Sequence, residues 1–132
     1  MSAFGNARAS GAAHPHRHEE LRAELADLKA GTAQWDAADG EVPGATAFDD
    51  AEAFLACLPA VHAQPSLYAS GDAEVGFRWL FPDGFAEVAF RGDGKIRYAF
   101  RLGQRLDGDT APFAAGDANS LPEPLTAALS YL

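Results

Sequence analysis

The residues with the clearest potential for chemistry are three closely spaced histidines near the N-terminus, His14, His16 and His18. With Glu19 and Glu20 directly after them, they offer ligand types that zinc, nickel and copper accept. A proline separates the first two rings, and the chain passes there from loop into a predicted helix, so the rings do not converge easily. The sequence favours a polar entry to a helix over a metal centre, and no cofactor is predicted.

Two further stretches contain reactive or metal-binding residue types. Asp107-Gly108-Asp109-Thr110 resembles the beginning of a calcium loop, but the later glycine and bidentate glutamate are missing, so we predict a turn. Cys57 lies beside the apolar stripe of a predicted helix, which favours a small, partly buried side chain over a reactive thiol. No nucleophile–base pair and no phosphate-binding loop is recognisable. A binding protein is therefore favoured over an enzyme, and the enzyme stays an alternative.

The net charge of −9 is concentrated in one part of the chain. Residues 30–77 contain eight acidic residues and no lysine or arginine; we call these residues the acidic block: Asp36, Asp39, Glu41, Asp49, Asp50, Glu52, Asp72 and Glu74. The negative electrostatic potential of the acidic block disfavours nucleic acid as a ligand and favours a basic partner. A role in solubility alone also explains this charge. The predicted contact residues are the first six, Asp36, Asp39, Glu41, Asp49, Asp50 and Glu52.

The element that must position these groups is predicted from residues 74–102, where three runs alternate large apolar with small or charged residues. This period of two is typical of half-buried strands, and an Asp-Gly pair in each connector suits a tight hairpin. We predict a three-stranded antiparallel meander, with Leu67-Tyr68 as an optional fourth edge strand. Its predicted inner face is Val75, Phe77, Trp79, Phe81, Ala86, Val88, Phe90, Ile96, Tyr98, Phe100 and Leu102.

The other face of this meander carries a run of basic residues. Four arginines define it as the alternative partner-binding surface: Arg78, Arg91, Arg97 and Arg101. The arginines either pair with acids of the same chain or dock an acidic partner or RNA. The RNA interpretation is the weaker one, because the aromatic residues lie on the opposite face.

Helices are predicted before and after the meander in the chain. The first runs from about His16 to Lys29 with a leucine stripe, and the second begins at Asp49, with Glu52 completing a capping box. The third follows a second capping box that begins at Ser120 and continues to the C-terminus. Residues 1–15 are predicted to be a mobile tail. Residues 16–132 are predicted to form a single compact α+β domain whose two or three helices cover one face of the sheet.

The chain contains no apolar run near the roughly 20 residues that span a bilayer, and the N-terminus does not resemble a signal peptide. The single cysteine fits a reducing compartment. These observations predict a cytoplasmic protein without membrane association.

Four segments together resemble a loosely defined set of small bacterial proteins with a helix, a three-stranded meander and a final helix. These segments are Asp50-x-x-Ala53-Phe54-Leu55-x-x-Leu58-Pro59, Glu74-Val75-x-Phe77-x-Trp79, Gly92-Asp93-Gly94-x-Ile96-x-Tyr98 and Leu121-Pro122-x-x-Leu125. The resemblance covers about residues 48–132 and implies this fold. It implies no activity, and no functional residue is carried over from it.

The sequence thus leads to two functional hypotheses. The first is a binding protein that occludes a macromolecular partner, as inhibitors, antitoxins, immunity proteins and phage-encoded anti-defence (anti-CRISPR) proteins do. Its expected partner is a protein with a basic surface, a nucleic-acid-binding protein being one candidate, and direct DNA binding is not expected. The second is a small-molecule binder or small enzyme with a pocket between sheet and helices. The oligomeric state stays open, a homodimer included.

Overall fold

The computed structural model describes residues 18–32, 40–58, 65–114 and 121–129. In these ranges the chain forms three helices and five strands: α1 (Glu19–Gly31), α2 (Ala45–Cys57), β1 (Ser66–Ser70), β2 (Glu74–Phe81), β3 (Gly84–Phe90), β4 (Lys95–Leu102), β5 (Arg105–Pro112) and α3 (Glu123–Leu129). The predicted tail, residues 1–15, lies outside the described residues. The α+β class is confirmed, whereas the predicted number of strands is too small.

The five strands form one antiparallel sheet in the order β1-β2-β3-β4-β5. The predicted meander is β2–β4, and the optional edge strand at Leu67-Tyr68 is β1. The predicted register of the meander is confirmed, since the inner-face residue Val88 lies opposite both Phe77 and Tyr98. Most of the predicted inner face is buried, and Phe81 and Leu102 at its end are partly buried.

Strand β5 corrects the predicted turn at Asp107-Gly108-Asp109. The connection between β4 and β5 is a two-residue hairpin at Gly103-Gln104, in which Gly103 has a φ of 63°. The strand carries no alternating apolar residues because nearly all of it is exposed at the edge of the sheet. A pattern built on burial therefore cannot detect it.

The two predicted Asp-Gly connectors behave differently. In the β3–β4 turn, Gly92 and Gly94 have φ values of 81° and 78°, as expected for a glycine-dependent hairpin. In the β2–β3 turn, Gly84 does not adopt a positive φ. It is required for space instead, because a Cβ atom there would lie 1.7 Å from the carbonyl oxygen of Arg101 on β4.

The core lies between the helices and the inner face of the sheet. Phe54 of α2 is fully buried, and its ring stacks on that of Phe77 at a centroid distance of 5.7 Å. It also contacts Phe90 at 5.6 Å and Trp79 at 6.4 Å. Aromatic side chains from one helix and two strands thus fill the space between α2 and the sheet.

Helix α2 begins five residues earlier than predicted. Its N-cap is Gly44 and not Asp49, and no side chain caps it, so the predicted capping box is wrong. The reason is that Ala47 and Phe48, both buried, already belong to the apolar stripe and extend the helix towards the N-terminus. Asp49, Asp50 and Glu52 consequently lie within the helix. No helix in the described ranges is long and apolar enough to cross a membrane.

Candidate functional site

The segment 40–44 packs against the end of the sheet at which the β1–β2 and β3–β4 turns lie. The Glu41 N–H donates to the Gly71 carbonyl at 2.8 Å, and the Ala73 N–H donates to the Glu41 carbonyl at 3.1 Å. These bonds place Glu41 beside Asp72 in an isolated parallel bridge. Both residues are exposed. Two carboxylate-bearing residues are thus held next to each other by backbone bonds that do not use their carboxylates.

The turn that presents Asp72 is conformationally strained. Ala73 has a φ of 63° and is the only residue other than glycine with a positive φ in the described part of the chain. The left-handed region costs an L-residue with a Cβ about 1–2 kcal/mol. The hydrogen bond from Ala73 to Glu41 helps to hold this conformation. Backbone strain of this kind is concentrated at functional positions in proteins.

A second pair of acids meets at the same end of the sheet. Gly92 approaches α2 so closely that a Cβ atom there would lie 2.8 Å from the Ala47 nitrogen, so the β3–β4 turn packs on the first turn of α2. The pKa of Asp50 is raised from its ordinary value of 3.8 by burial, with further contributions from the charges of Asp49 and Asp93. The Asp50 Oδ2 atom is buried and has no hydrogen-bond partner among the described residues. Carboxylates therefore repel one another at this end.

We call these two pairs of acids, which lie at the same end of the sheet, the acidic end and define it by four residues: Glu41, Asp50, Asp72 and Asp93. Two of them, Glu41 and Asp50, are among the predicted contact residues. Asp93 lies in the predicted hairpin connector, and only the folded topology brings it towards α2. For Asp72 the sequence did contain a signal: the Gly71-Asp72 pair is typical of a turn, and residues at turns are exposed.

The remaining predicted contact residues are not part of the acidic end. Asp36 and Asp39 lie outside the described residues. Asp49 and Glu52 are exposed on α2 and line a shallow groove of about 150 Å³ together with two bases of α1, Arg22 and Lys29. Their negative charge is thus partly offset by positive charge from the same chain.

The arginines of the outer face, which is the side of the sheet opposite the core, are largely engaged within the chain. Arg78 forms an ion pair with Glu87 on the neighbouring strand, with Nη2 and Oε2 2.8 Å apart. Arg101 donates to two carbonyl oxygens, those of Asp83 at 3.2 Å and Gly103 at 3.0 Å. The charge of Arg78 is thus paired with a carboxylate, whereas Arg101 contacts only backbone carbonyl groups.

Glu74 does not belong to the exposed acidic surface that the charge count suggests. Its side chain is only 4% exposed and forms ion pairs with Arg91 and Arg97, whose side chains are 51% and 54% exposed. Arg97 hydrogen-bonds Glu74 Oε1. Oε2 lies 3.4 Å from Arg91 Nε without hydrogen-bond geometry, so this contact is an ion pair only. One buried carboxylate thus forms ion pairs with two guanidinium groups.

A groove of about 320 Å³ crosses the middle of the outer face, where the floor includes the small residues Ala89 and Ala99. Tyr68 forms one wall, and its hydroxyl donates to the Val88 carbonyl at 3.5 Å. Burial, followed by the charges of Glu87 and Glu74, raises the pKa of Tyr68 from 10.0 to about 12, and a phenol is protonated at neutral pH at either value. It therefore acts as a hydrogen-bond donor.

Two leucines are prominently exposed on the outer face, Leu80 at 77% and Leu106 at 69%. They lie in one register row with Phe85 and Arg101. Of the histidine cluster, His14 and His16 lie outside the described residues, whereas His18 is buried at the start of α1. No group of three or more potential metal ligands occurs among the described residues.

Comparisons with known proteins find no matching family model, no similar curated protein and no similar solved structure.

Proposed function

We propose that this chain is a small acidic cytoplasmic binding protein that occludes a basic surface of a macromolecular partner, in the manner of inhibitors, antitoxins, immunity proteins or phage anti-defence (anti-CRISPR) proteins. The observation that supports this most strongly is the placement of Glu41 beside Asp72 by backbone hydrogen bonds. Exposed like charges held together, on a turn strained at Ala73, reduce stability. Features that reduce stability without serving the fold are typical of sites retained for function.

The geometry of the acidic end suits charge-driven docking. Its four acids come from the segment before α2, from α2 itself and from two turns of the sheet, so they sit on ordered elements. Preorganised charges lose little conformational entropy on binding. They also accelerate association with an oppositely charged surface. A nucleic-acid-binding protein is one candidate partner, because the surface with which such a protein holds phosphates is basic.

Affinity capture with matched charge variants tests this proposal. The immobilised wild-type protein is compared with the acidic-end variant Glu41→Gln/Asp72→Asn/Asp93→Asn in a bacterial lysate at low and high salt. The control variant Glu20→Gln/Glu24→Gln/Asp27→Asn removes the same number of negative charges from α1, where all three residues are exposed. Captured proteins are quantified by mass spectrometry.

We expect the wild type and the α1 control variant to capture a basic protein in stoichiometric amount. The acidic-end variant is expected not to capture it, and high salt is expected to release it. Equal loss in the two variants would show attraction by net charge without a defined surface. Retention by the acidic-end variant would contradict the proposal directly.

A further inference from the structure

A cleft on the outer face, at the end of β4 nearest the β3–β4 turn, combines three cationic side chains. It has a volume of about 130 Å³. Its lining residues include Glu74, Arg91, Lys95, Arg97 and Thr110. Since a water molecule occupies about 30 Å³ of the liquid, the cleft has room for a group of a few heavy atoms. This is the size of a phosphate or carboxylate group.

We propose that this cleft binds a small oxyanion, the phosphate or carboxylate group of a polar small molecule. Two carboxylates also line the cleft, those of Glu74 and Asp93, so its formal charge is three positive against two negative. The cleft is thus positively charged in a protein whose net charge is −9. Asp93 also belongs to the acidic end, but binding of an oxyanion in this cleft does not require the protein partner proposed above.

The buried carboxylate of Glu74 prepares the two guanidinium groups for this role. Each guanidinium has five N–H donors, and one carboxylate cannot satisfy two such groups. Arg97 donates through Nη2, and Arg91 approaches through Nε, which leaves further N–H groups of both residues without a partner among the described residues. Because the hydrogen bond to Glu74 restrains the Arg97 side chain, this side chain loses less conformational entropy on binding an oxyanion, whose geometry matches a guanidinium. The ion pair with Glu74 keeps the Arg91 guanidinium at the same cleft.

The larger groove supplies a place for the rest of the ligand. It adjoins the cleft, since Ala89, Arg97 and Thr110 line both. Its remaining polar groups include the carboxylates of Glu87 and Asp109, which accept hydrogen bonds. The ligand class that fits is therefore a small molecule with an oxyanion at one end and hydroxyl or amino groups in its body.

Two-dimensional NMR titrations of the full chain test this site with four probes: inorganic phosphate, acetate, glycerol phosphate and glycerol. Saturable shifts of the Arg91 and Arg97 Nε–H signals and of the Thr110 amide are expected with at least one oxyanion. Shifts with phosphate alone assign a phosphate site, and shifts with acetate alone assign a carboxylate site. If the site binds phosphate, glycerol phosphate is expected to bind more tightly than phosphate. Glycerol alone is expected not to bind in either case.

Matched lysine variants separate this site from general attraction of anions. Lys95 is exposed and has no ion pair among the described residues, so Lys95→Gln is expected to fold and to weaken oxyanion binding about threefold. Lys29→Gln removes the same charge from α1 and is expected to leave binding unchanged. Absence of saturable shifts with all three oxyanion probes, or equal weakening by the two variants, would overturn the proposal.

Discussion

The buried carboxylate of Glu74 on β2 accepts a hydrogen bond from the half-exposed guanidinium of Arg97 on β4, 23 residues along the chain. The contact passes over β3, where the residue paired with Arg97 is the small Ala89. A charged side chain is therefore buried in the outer face of the sheet by a partner two strands away. A buried carboxylate of this kind is stable only while it is paired.

Replacing Arg97 is expected to destabilise the fold more than replacing the arginine of an exposed pair. Arg97→Gln leaves Glu74 with the longer contact to Arg91, and we expect a loss of about 1–3 kcal/mol in the free energy of unfolding. The control is Arg78→Gln, whose pair with Glu87 is partly exposed and should contribute less than about 1 kcal/mol. Chemical denaturation measures both values. Equal losses would mean that burial of Glu74 has no energetic consequence.

Neutralising Asp50 is expected to stabilise the protein at neutral pH. Its pKa is raised in the folded state by burial and by Asp49 and Asp93, so the folded protein binds a proton more readily than the unfolded chain. The resulting destabilisation is present above the folded-state pKa and is relieved as the pH falls through it towards the ordinary value of 3.8. Asp50→Asn should raise the melting temperature at pH 7.

The pH dependence of melting provides the control for Asp50. The difference between Asp50→Asn and wild type should shrink as the pH falls through the raised pKa of Asp50. Asp49→Asn removes a neighbouring charge that is exposed, and its effect at pH 7 should be smaller. If Asp50→Asn melted at a lower temperature than the wild type at pH 7, repulsion between carboxylates would not be what destabilises the acidic end.

The free edge of β5 is blocked by its own side chains. The N–H groups of Gly108 and Thr110 point away from β4, because the two-residue hairpin directs the alternate positions towards the ladder. They donate instead to Asp107 Oδ1 and Asp109 Oδ1, both at 2.8 Å. Further along, Pro112 has no N–H. Such an edge resists pairing with another strand.

Removing these acceptors is expected to expose the edge. Asp107→Ala/Asp109→Ala should form oligomers whose mass rises with concentration in light scattering, because freed N–H groups can pair with a second chain. Asp107→Asn/Asp109→Asn loses the same charge but keeps an acceptor oxygen in each side chain, and it should remain as dispersed as the wild type. Association of both variants to the same extent would attribute the protection to charge alone.

Trp79 tests the register of the sheet. It is 1% exposed, and its Nε1 atom is buried without a hydrogen-bond partner in the described part of the chain. Trp79→Ala is expected to cost about 3–5 kcal/mol, the range for deleting a large aromatic side chain from a core. Trp79→Phe should cost clearly less, because it also removes an unsatisfied donor. Melting of Trp79→Ala within a degree or two of the wild type would contradict the register.

The central sheet was predictable because burial of one face requires apolar residues at alternate positions of its strands. In β2–β4 the alternation from Val75 to Phe100 fixes which side chains face the core, and a slip of one residue would expose all of them. The first turn of α2 was less clear. Ala47 and Phe48 fit a helical stripe, but Asp49 is also a good N-cap residue, and local preference suggested the later start.

The candidate site was predictable only in part, because it depends on contacts between distant segments. The composition indicated Glu41 as part of an acidic surface, but it could not indicate that Glu74, in the same acidic block, is buried beneath Arg91 and Arg97. Asp93 joins the acidic end only because Gly92 allows its turn to pack on α2. Strand β5 was missed because an exposed edge strand needs no apolar residues.

The proposed docking of a basic partner by the acidic end is tested most directly by the association rate constant. Immobilised partner, once captured, is measured against wild type, Glu41→Gln/Asp72→Asn/Asp93→Asn, and the outer-face variant Lys95→Gln/Arg101→Gln over a range of salt concentrations. Charges separated by more than about 8 Å are largely screened at physiological ionic strength, so steering by the acidic end must depend on salt. We predict slower association and a shallower salt dependence for the acidic-end variant alone. Unchanged association of that variant, with binding lost in the outer-face variant, would contradict the claim and make the sheet face the working surface.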